Sequence, residues 1–257
     1  MTSTTLTAGK VEVATDAHGI TTITFFHPAH NSLPSRVLTD LADSIRRFGQ
    51  DEQTKVIVLK SGGDRTFCAG ASFDELQIIE TKEQGLEFFS GFAKVINACR
   101  TSPKIIIGRV QGKAVGGGVG VAAATDYCFA TTQAAIKLSE LAVGIGPFVV
   151  GPAVERKIGT AAYQQLALDA TEFRSAAWAR DKGLYAELFD DLESLDTAVH
   201  TFAVKLAAYA PDALQALKQV FWEGTEHWDT LLLERAAISG TLVLSDFTRN
   251  VIQKTKS

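Results

Sequence analysis

Two apolar runs, Val56-Ile57-Val58-Leu59 and Ile105-Ile106-Ile107, constrain the fold of this 257-residue chain more than any other feature. Neither alternates with polar residues, so each reads as a strand covered on both faces, the habit of a parallel sheet with helices above and below. Each is followed by a glycine-bearing break, Ser61-Gly62-Gly63-Asp64 after the first and Gly116-Gly117-Gly118 after the second. One segment of helical spacing lies before the first run and another between the two. Residues 34–48 carry Val37, Leu38, Leu41, Ile45 and Phe48 on one face, and residues 83–100 carry Leu86, Phe89, Phe92, Ile96 and Cys99 until Pro103 stops the helix. Shorter strand signals fall at 11–14 and 21–26, around an Asp16-Ala17-His18-Gly19 turn, and at 127–130 and 135–138. From Phe148 onward the pattern is almost wholly helical, over 161–169, 175–182, 194–209, 211–222 and 225–245. The expectation is an α/β core over residues 1–190 and a helical region over 191–257, with no low-complexity linker between them.

Composition narrows the function classes. A net charge of -4 and a pI near 5.8 leave no basic footprint for nucleic acid. No apolar run approaches the ~20 residues of a membrane span. The first ten residues lack the apolar centre of a secretory signal and the arginines of a mitochondrial presequence. Cys68, Cys99 and Cys128, odd in number and far apart, suit reduced thiols rather than disulfides or zinc. A cytoplasmic protein is expected.

The stretch from Gly116 to Asp126 carries the first chemical signal. Glycines between a buried strand and a helix let another molecule approach the backbone, and the N–H groups that open the helix are free to meet negative charge. That charge can be a phosphate or a developing oxyanion. Gly118, Gly120 and Ala123 fit the G-x-G-x-x-A dinucleotide pattern, but its acid belongs at the end of the next strand, where this chain has Thr131, Thr132 and Gln133. A second loop, Thr66-Phe67-Cys68-Ala69-Gly70-Ala71-Ser72-Phe73-Asp74-Glu75-Leu76, also follows a buried strand and opens a helix. Two such loops can aim two backbone N–H groups at one point, as a thioester oxygen requires when it becomes an enolate.

Together with Asn31-Ser32-Leu33, Asp126 and Leu138-Ser139-Glu140-Leu141-Ala142-Val143-Gly144-Ile145-Gly146-Pro147, these loops make the chain resemble the enoyl-CoA hydratase/isomerase family of the crotonase superfamily over most of its length. The resemblance implies a crotonase-like (ClpP/crotonase) spiral of ββα units, a helical C-terminal region that mediates trimer formation (a homotrimer or a dimer of trimers), and an acyl-CoA thioester substrate. Coenzyme A then arrives as part of the substrate, and no separate cofactor or metal is expected. Carried over by motif position, the oxyanion hole falls on the N–H groups of Ala71 and Gly117, and the adenine and pantetheine contacts on Cys68, Ala69, Gly70, Ser72 and Phe73. Gly116, Gly120, Pro147 and Phe148 complete the expected substrate-binding set. Ser72 stands where many members have an aspartate, so the contacts of that side chain do not transfer.

The acids choose the reaction. Hydratases of the resembled family usually carry two glutamates; here the first position is Gly120 and the second is Glu140. Hydration is easiest when two carboxylates hold the water, whereas moving a double bond needs one base that takes a proton at the α carbon and returns it at the γ carbon. One carboxylate thus points to Δ3-Δ2-enoyl-CoA isomerase chemistry. Phe148 after Pro147, where a 3-hydroxyisobutyryl-CoA hydrolase carries an aspartate, argues for a dry acyl pocket. The alternatives are a hydratase of methylglutaconyl-CoA type, with one carboxylate doing both tasks or a second acid for which Asp74 and Glu75 are candidates, and a crotonase-fold protein that binds acyl-CoA without turning it over. Leu141, Val143 and Phe148 are expected to raise the Glu140 pKa by desolvation. Ser139 lacks a histidine to activate it, and His27 and His30 lack a third ligand for a metal. The apolar tail suits subunit contacts, and Lys254 or Lys256 is a candidate for a CoA phosphate.

Overall fold

The computed structural model describes residues 9–254. Strands β1 (Lys10–Thr15) and β2 (Ile20–Phe26) form an antiparallel hairpin. Its turn is closed by Asp16, whose Oδ1 accepts from the N–H groups of His18 and Ile20, with Gly19 at φ +77°. The short β3 (Ser32–Leu33) then leads into α1 (Ser35–Gln50). The second turn of the spiral holds β4 (Val56–Ser61), β5 (Thr66–Cys68), β6 (Gly70–Ala71), α2 (Phe73–Gln77) and α3 (Lys82–Thr101). The third holds β7 (Ile105–Val110), β8 (Lys113–Val115) and α4 (Gly117–Ala124), and the fourth β9 (Tyr127–Thr131), β10 (Ile136–Lys137) and a 3-10 turn, Glu140–Val143. Helices α5 (Gly151–Ile158), α6 (Thr160–Leu168) and α7 (Ala176–Asp181) precede the last strand, β11 (Glu187–Phe189). Four helices finish the chain: α8 (Leu192–Ala207), α9 (Pro211–Phe221), α10 (Trp228–Leu242) and α11 (Asp246–Lys254).

The main sheet runs β1-β2-β4-β7-β9-β11 and is parallel from β2 onward. Beside it lie a parallel sheet β10-β8-β5 and the pair β3-β6. Each turn of the chain thus visits the large sheet, then a small one, then a helix.

The two apolar runs behave as buried parallel strands do. Ile57, Leu59 and Ile106 face one core with α1 and α3, while Val56, Val58, Ile105 and Ile107 face another with Leu195, Val199, Ala203 and Leu206 of α8. Arg109, on the α8 side and 5% exposed, donates from Nε and Nη2 to Asp196 at 2.8 and 3.0 Å, a bidentate pair that ties α8 to the sheet. The segment read as helical over 194–209 starts instead at Leu192, because Asp191 caps it by accepting from the Ser194 N–H at 2.7 Å. Among the described residues, no helix is long and apolar enough to cross a membrane. Cys68, Cys99 and Cys128 are free thiols buried in the core, and burial pushes each pKa up to about 12.

Candidate active site

Asn31 organises the first wall of the site. Held at φ +55°, it accepts from the His27 N–H through Oδ1 and donates through Nδ2 to the carbonyls of Gly62 and Thr66, each at 2.9 Å. That knot fixes the start of the loop leading to β6. Ser32 then donates from Oγ to the Ala71 carbonyl at 2.9 Å, and the Ser72 N–H donates to Leu33. Gly70 takes φ +94°, and the point where its Cβ would stand lies 3.3 Å from the Val115 carbonyl and 3.8 Å from the Gly117 nitrogen. The two glycine loops therefore touch.

Helix α4 forms the second wall. Every residue from Gly117 to Ala124 is buried, so only small side chains fit between its neighbours α3 and α5. Gly116 caps it at φ +53°, a conformation that favours glycine. A Cβ at Gly117 would fall on the Phe92 ring, and one at Gly118 would stand 2.6 Å from the Cys68 carbonyl. The N–H of Gly117 belongs to the first turn of the helix, where intrahelical partners are lacking.

Glu140 opens the 3-10 turn that follows β10. Gly144, at φ +83°, ends this turn, and the Ile145 N–H donates back to the Glu140 carbonyl at 3.0 Å. The carboxylate points to Gly116, where an added Cβ would stand 2.9 Å from Oε1. Oε2 is buried and accepts no hydrogen bond. Burial is the largest influence on this group and pushes its pKa up to about 7, against the lowering effect of its own N–H.

Ala71, Gly117 and Glu140 line one cavity of about 160 Å³. Of the residues expected to bind substrate, Ala69, Gly70, Phe73, Gly116, Pro147 and Phe148 line it with them. Cys68, Ser72 and Gly120 do not. Cys68 is wholly buried beneath the loop, with Sγ accepting from the Gly70 N–H; Ser72 caps α2 by accepting from the Glu75 N–H at 3.3 Å; Gly120 lies inside α4. Neither of the two acids considered as a second carboxylate lines the cavity. Asp74 is exposed, and Glu75 accepts from the Ser35 N–H and Oγ at 2.8 and 2.6 Å, which caps α1 instead. Leu141 is 45% exposed and is not part of the lining, whereas Val143 and Phe148 are. Lys254 ends α11, and Lys256 lies outside the described residues.

Sequence reasoning missed much of the lining. Phe88, Phe89 and Phe92 come from α3, Leu76 from α2, Val149 and Val150 from the segment before α5, and Ser239 from α10. The phenylalanines signalled only a helix face. Their meeting with Ser239 depends on a crossing of α3 and α10 that residue spacing does not encode. Glu140 is the sole ionisable side chain among the described residues of the lining.

Residues 15–244 match the family model described as enoyl-CoA hydratase/isomerase. The chain belongs to the enoyl-CoA hydratase/isomerase family. Curated relatives include the peroxisomal Delta(3,5)-Delta(2,4)-dienoyl-CoA isomerase of Arabidopsis thaliana, 28% identical over 77% of this chain and 76% of that protein. Another is the short-chain-enoyl-CoA hydratase of Clostridium acetobutylicum, 28% identical over 77% and 75%. A crystal structure of enoyl-CoA hydratase from Bacillus halodurans superposes with a TM-score of 0.87 at 21% identity, covering 95% of this chain and 99% of that one; that likeness speaks to the crotonase fold. Membership in the enoyl-CoA hydratase/isomerase family fits both small-residue loops and the glutamate that shares their cavity, and leaves the choice of reaction to the cavity itself.

Proposed function

We propose that this protein moves a double bond within an enoyl-CoA, with Glu140 as the single acid and base. The observation that carries the reading is a lone carboxylate, one oxygen unpartnered, in a cavity that is apolar apart from Ser139 and Ser239. A carboxylate with a pKa near 7 is populated in both forms at neutral pH, the condition for accepting and then returning a proton. Glu140 takes the α proton of a 3-enoyl thioester, the thioester oxygen becomes negative, and the N–H groups of Ala71 and Gly117 donate to it. The carboxylic acid then returns the proton at the γ carbon, leaving a conjugated 2-enoyl thioester and a regenerated carboxylate. Loss of one such donor typically costs about 2.7–4 kcal/mol of transition-state stabilisation.

The apolar lining supports the same reading. Phe73, Phe88, Phe89, Phe92 and Phe148 offer no partner for an attacking water, and a dry cavity strengthens the hydrogen bonds to the enolate. The test is an ultraviolet assay with a 3-enoyl-CoA and, separately, a 2-enoyl-CoA. Growth of the conjugated thioester absorbance with the first and no change with the second is the expected result. Loss of absorbance with the second would instead establish hydration, and silence with both would favour a protein that binds acyl-CoA without turnover. Homotrimer formation remains part of the proposal, checked by light scattering.

A further inference from the structure

The interior of α4 carries an observation that the one-base reading leaves unused. A Cβ built on Gly120 would stand 2.5 Å from Val150 Cγ1 and 2.7 Å from Val150 Cβ, while Val150 Cα would lie at an ordinary 3.5 Å. Val150 is 3% exposed and lines the cavity that holds Glu140. Its segment has little room to retreat. The Val150 carbonyl accepts from the Val154 N–H at 3.0 Å, the Gly151 N–H donates to Pro147 at 2.8 Å, and a Cβ on Gly151 would run into the Tyr163 hydroxyl.

We infer that Val150 is a specificity-determining residue: its side chain occupies the space in which a carboxylate carried by α4 would enter the cavity, and so restricts the site to one-carboxylate chemistry. The inference rests on Glu140 acting as acid and base. The clash begins at Cβ, so shortening Val150 to alanine does not relieve it, and only glycine does. Glycine there costs no capping bond, since Val150 is the N-cap of α5 and makes none with its side chain, although its buried core contacts are lost. In the combined variant Gly120→Glu/Val150→Gly, two carboxylates would face one cavity. Addition of water would then balance within the site: one carboxylate takes a proton from water as its oxygen bonds to the β carbon, and the other gives a proton to the α carbon of the enolate.

The experiment compares wild type, Gly120→Glu/Val150→Gly and Gly120→Glu/Val150→Ala with a 2-enoyl-CoA, together with 3-enoyl-CoA isomerisation by wild type and its Glu140→Gln variant. The glycine-containing double variant is expected to hydrate at least about 100-fold faster than wild type, the lower range for a positioned acid–base group, and the alanine-containing one to stay at the wild-type level. Equal hydration by both double variants, or by wild type itself, overturns the inference. So does a folded Gly120→Glu/Val150→Gly protein that fails to hydrate. Absence of Glu140-dependent isomerisation in wild type defeats the one-base reading instead, whatever the double variants do. Because the Gly120→Glu change could prevent folding, a melting cycle tests the steric claim separately. Gly120→Ala should lower Tm when Val150 is present and leave it nearly unchanged in a Val150→Gly background. An equal drop in both backgrounds overturns the inference.

Discussion

An ionised carboxylate whose Oε2 is sealed from solvent and partners is held at a cost to folding, and Glu140 carries that cost whenever it is ionised. Its pKa is about 7 in the folded chain against an ordinary 4.5, so the folded state binds the proton more tightly than the unfolded state. The stability this gives is complete below pH 4.5 and is lost as pH rises through 7. Full ionisation removes about 3 kcal/mol at 1.36 kcal/mol per pKa unit. Glu140→Gln is neutral throughout, so in urea unfolding it should gain on the wild type by roughly this amount between about pH 5 and pH 8. A gap that does not change with pH would mean that the carboxylate is solvated. The same variant should lose turnover, while wild-type kcat/KM rises with pH through about 7 as the base form accumulates. Glu140, Ala71 and Gly117 could be singled out in the sequence because each sits in a short motif that carries the family resemblance. Val150 could not, since its role depends on the distance to a glycine thirty positions earlier in the chain.

At the scale of elements, the crossing of α3 and α10 shapes the cavity. Gly85 and Gly240 bring the two backbones together: a Cβ on Gly240 would stand 2.7 Å from the Leu86 nitrogen and 2.8 Å from the Gly85 carbonyl carbon. Backbone atoms cannot swing aside as a side chain can, so Gly240→Ala must push the helices apart. A destabilisation of about 1–3 kcal/mol is expected, the range for overpacking, measured as a shift in the urea midpoint at constant m. Ser239 and Phe88 line the cavity beside this crossing, so a rise in KM should accompany it. Unchanged stability and KM would show that the two helices separate there at little cost. Long elements were readable because periodicity accumulates: α1, α3, β4 and β7 lie within a few residues of their expected bounds. Of the strands of two or three residues, β10 falls within the expected 135–138, whereas β3, β5, β6, β8 and β11 are too short for a period and exist through their pairing. Helix α5 was missed because Gly151-Pro152 at its start reads as a break, although proline is well placed in a first turn.

At the scale of the whole molecule, an ion pair buried on both sides, Lys218–Asp126, joins the tail to the core. Asp126 accepts from the Ile106 N–H at 2.8 Å, the Trp222 indole N–H at 2.9 Å and the Lys218 ammonium at 2.8 Å, and its carbonyl accepts from Lys157 at 3.0 Å. Lys218, 2% exposed, also donates to the Lys104 carbonyl at 2.8 Å. The start of β7, the start of β9, α5 and α9 thus meet at a single aspartate, which the sequence had marked only as part of a family motif. Removing one partner of a buried pair leaves an uncompensated charge, so Lys218→Met should destabilise by about 3–5 kcal/mol. Adding Asp126→Asn should recover part of that loss, because it removes the stranded charge while the amide oxygen still accepts N–H groups. The clamp also predicts how the chain unfolds. Two of its three tryptophans, Trp222 and Trp228, pack edge to face in the tail at 5.9 Å, so their fluorescence follows the tail while far-UV circular dichroism follows the whole chain. With the clamp intact the two probes should report one coincident transition. In Lys218→Met the fluorescence should change at lower denaturant than the ellipticity; coincident curves in the variant would mean that the tail is held elsewhere.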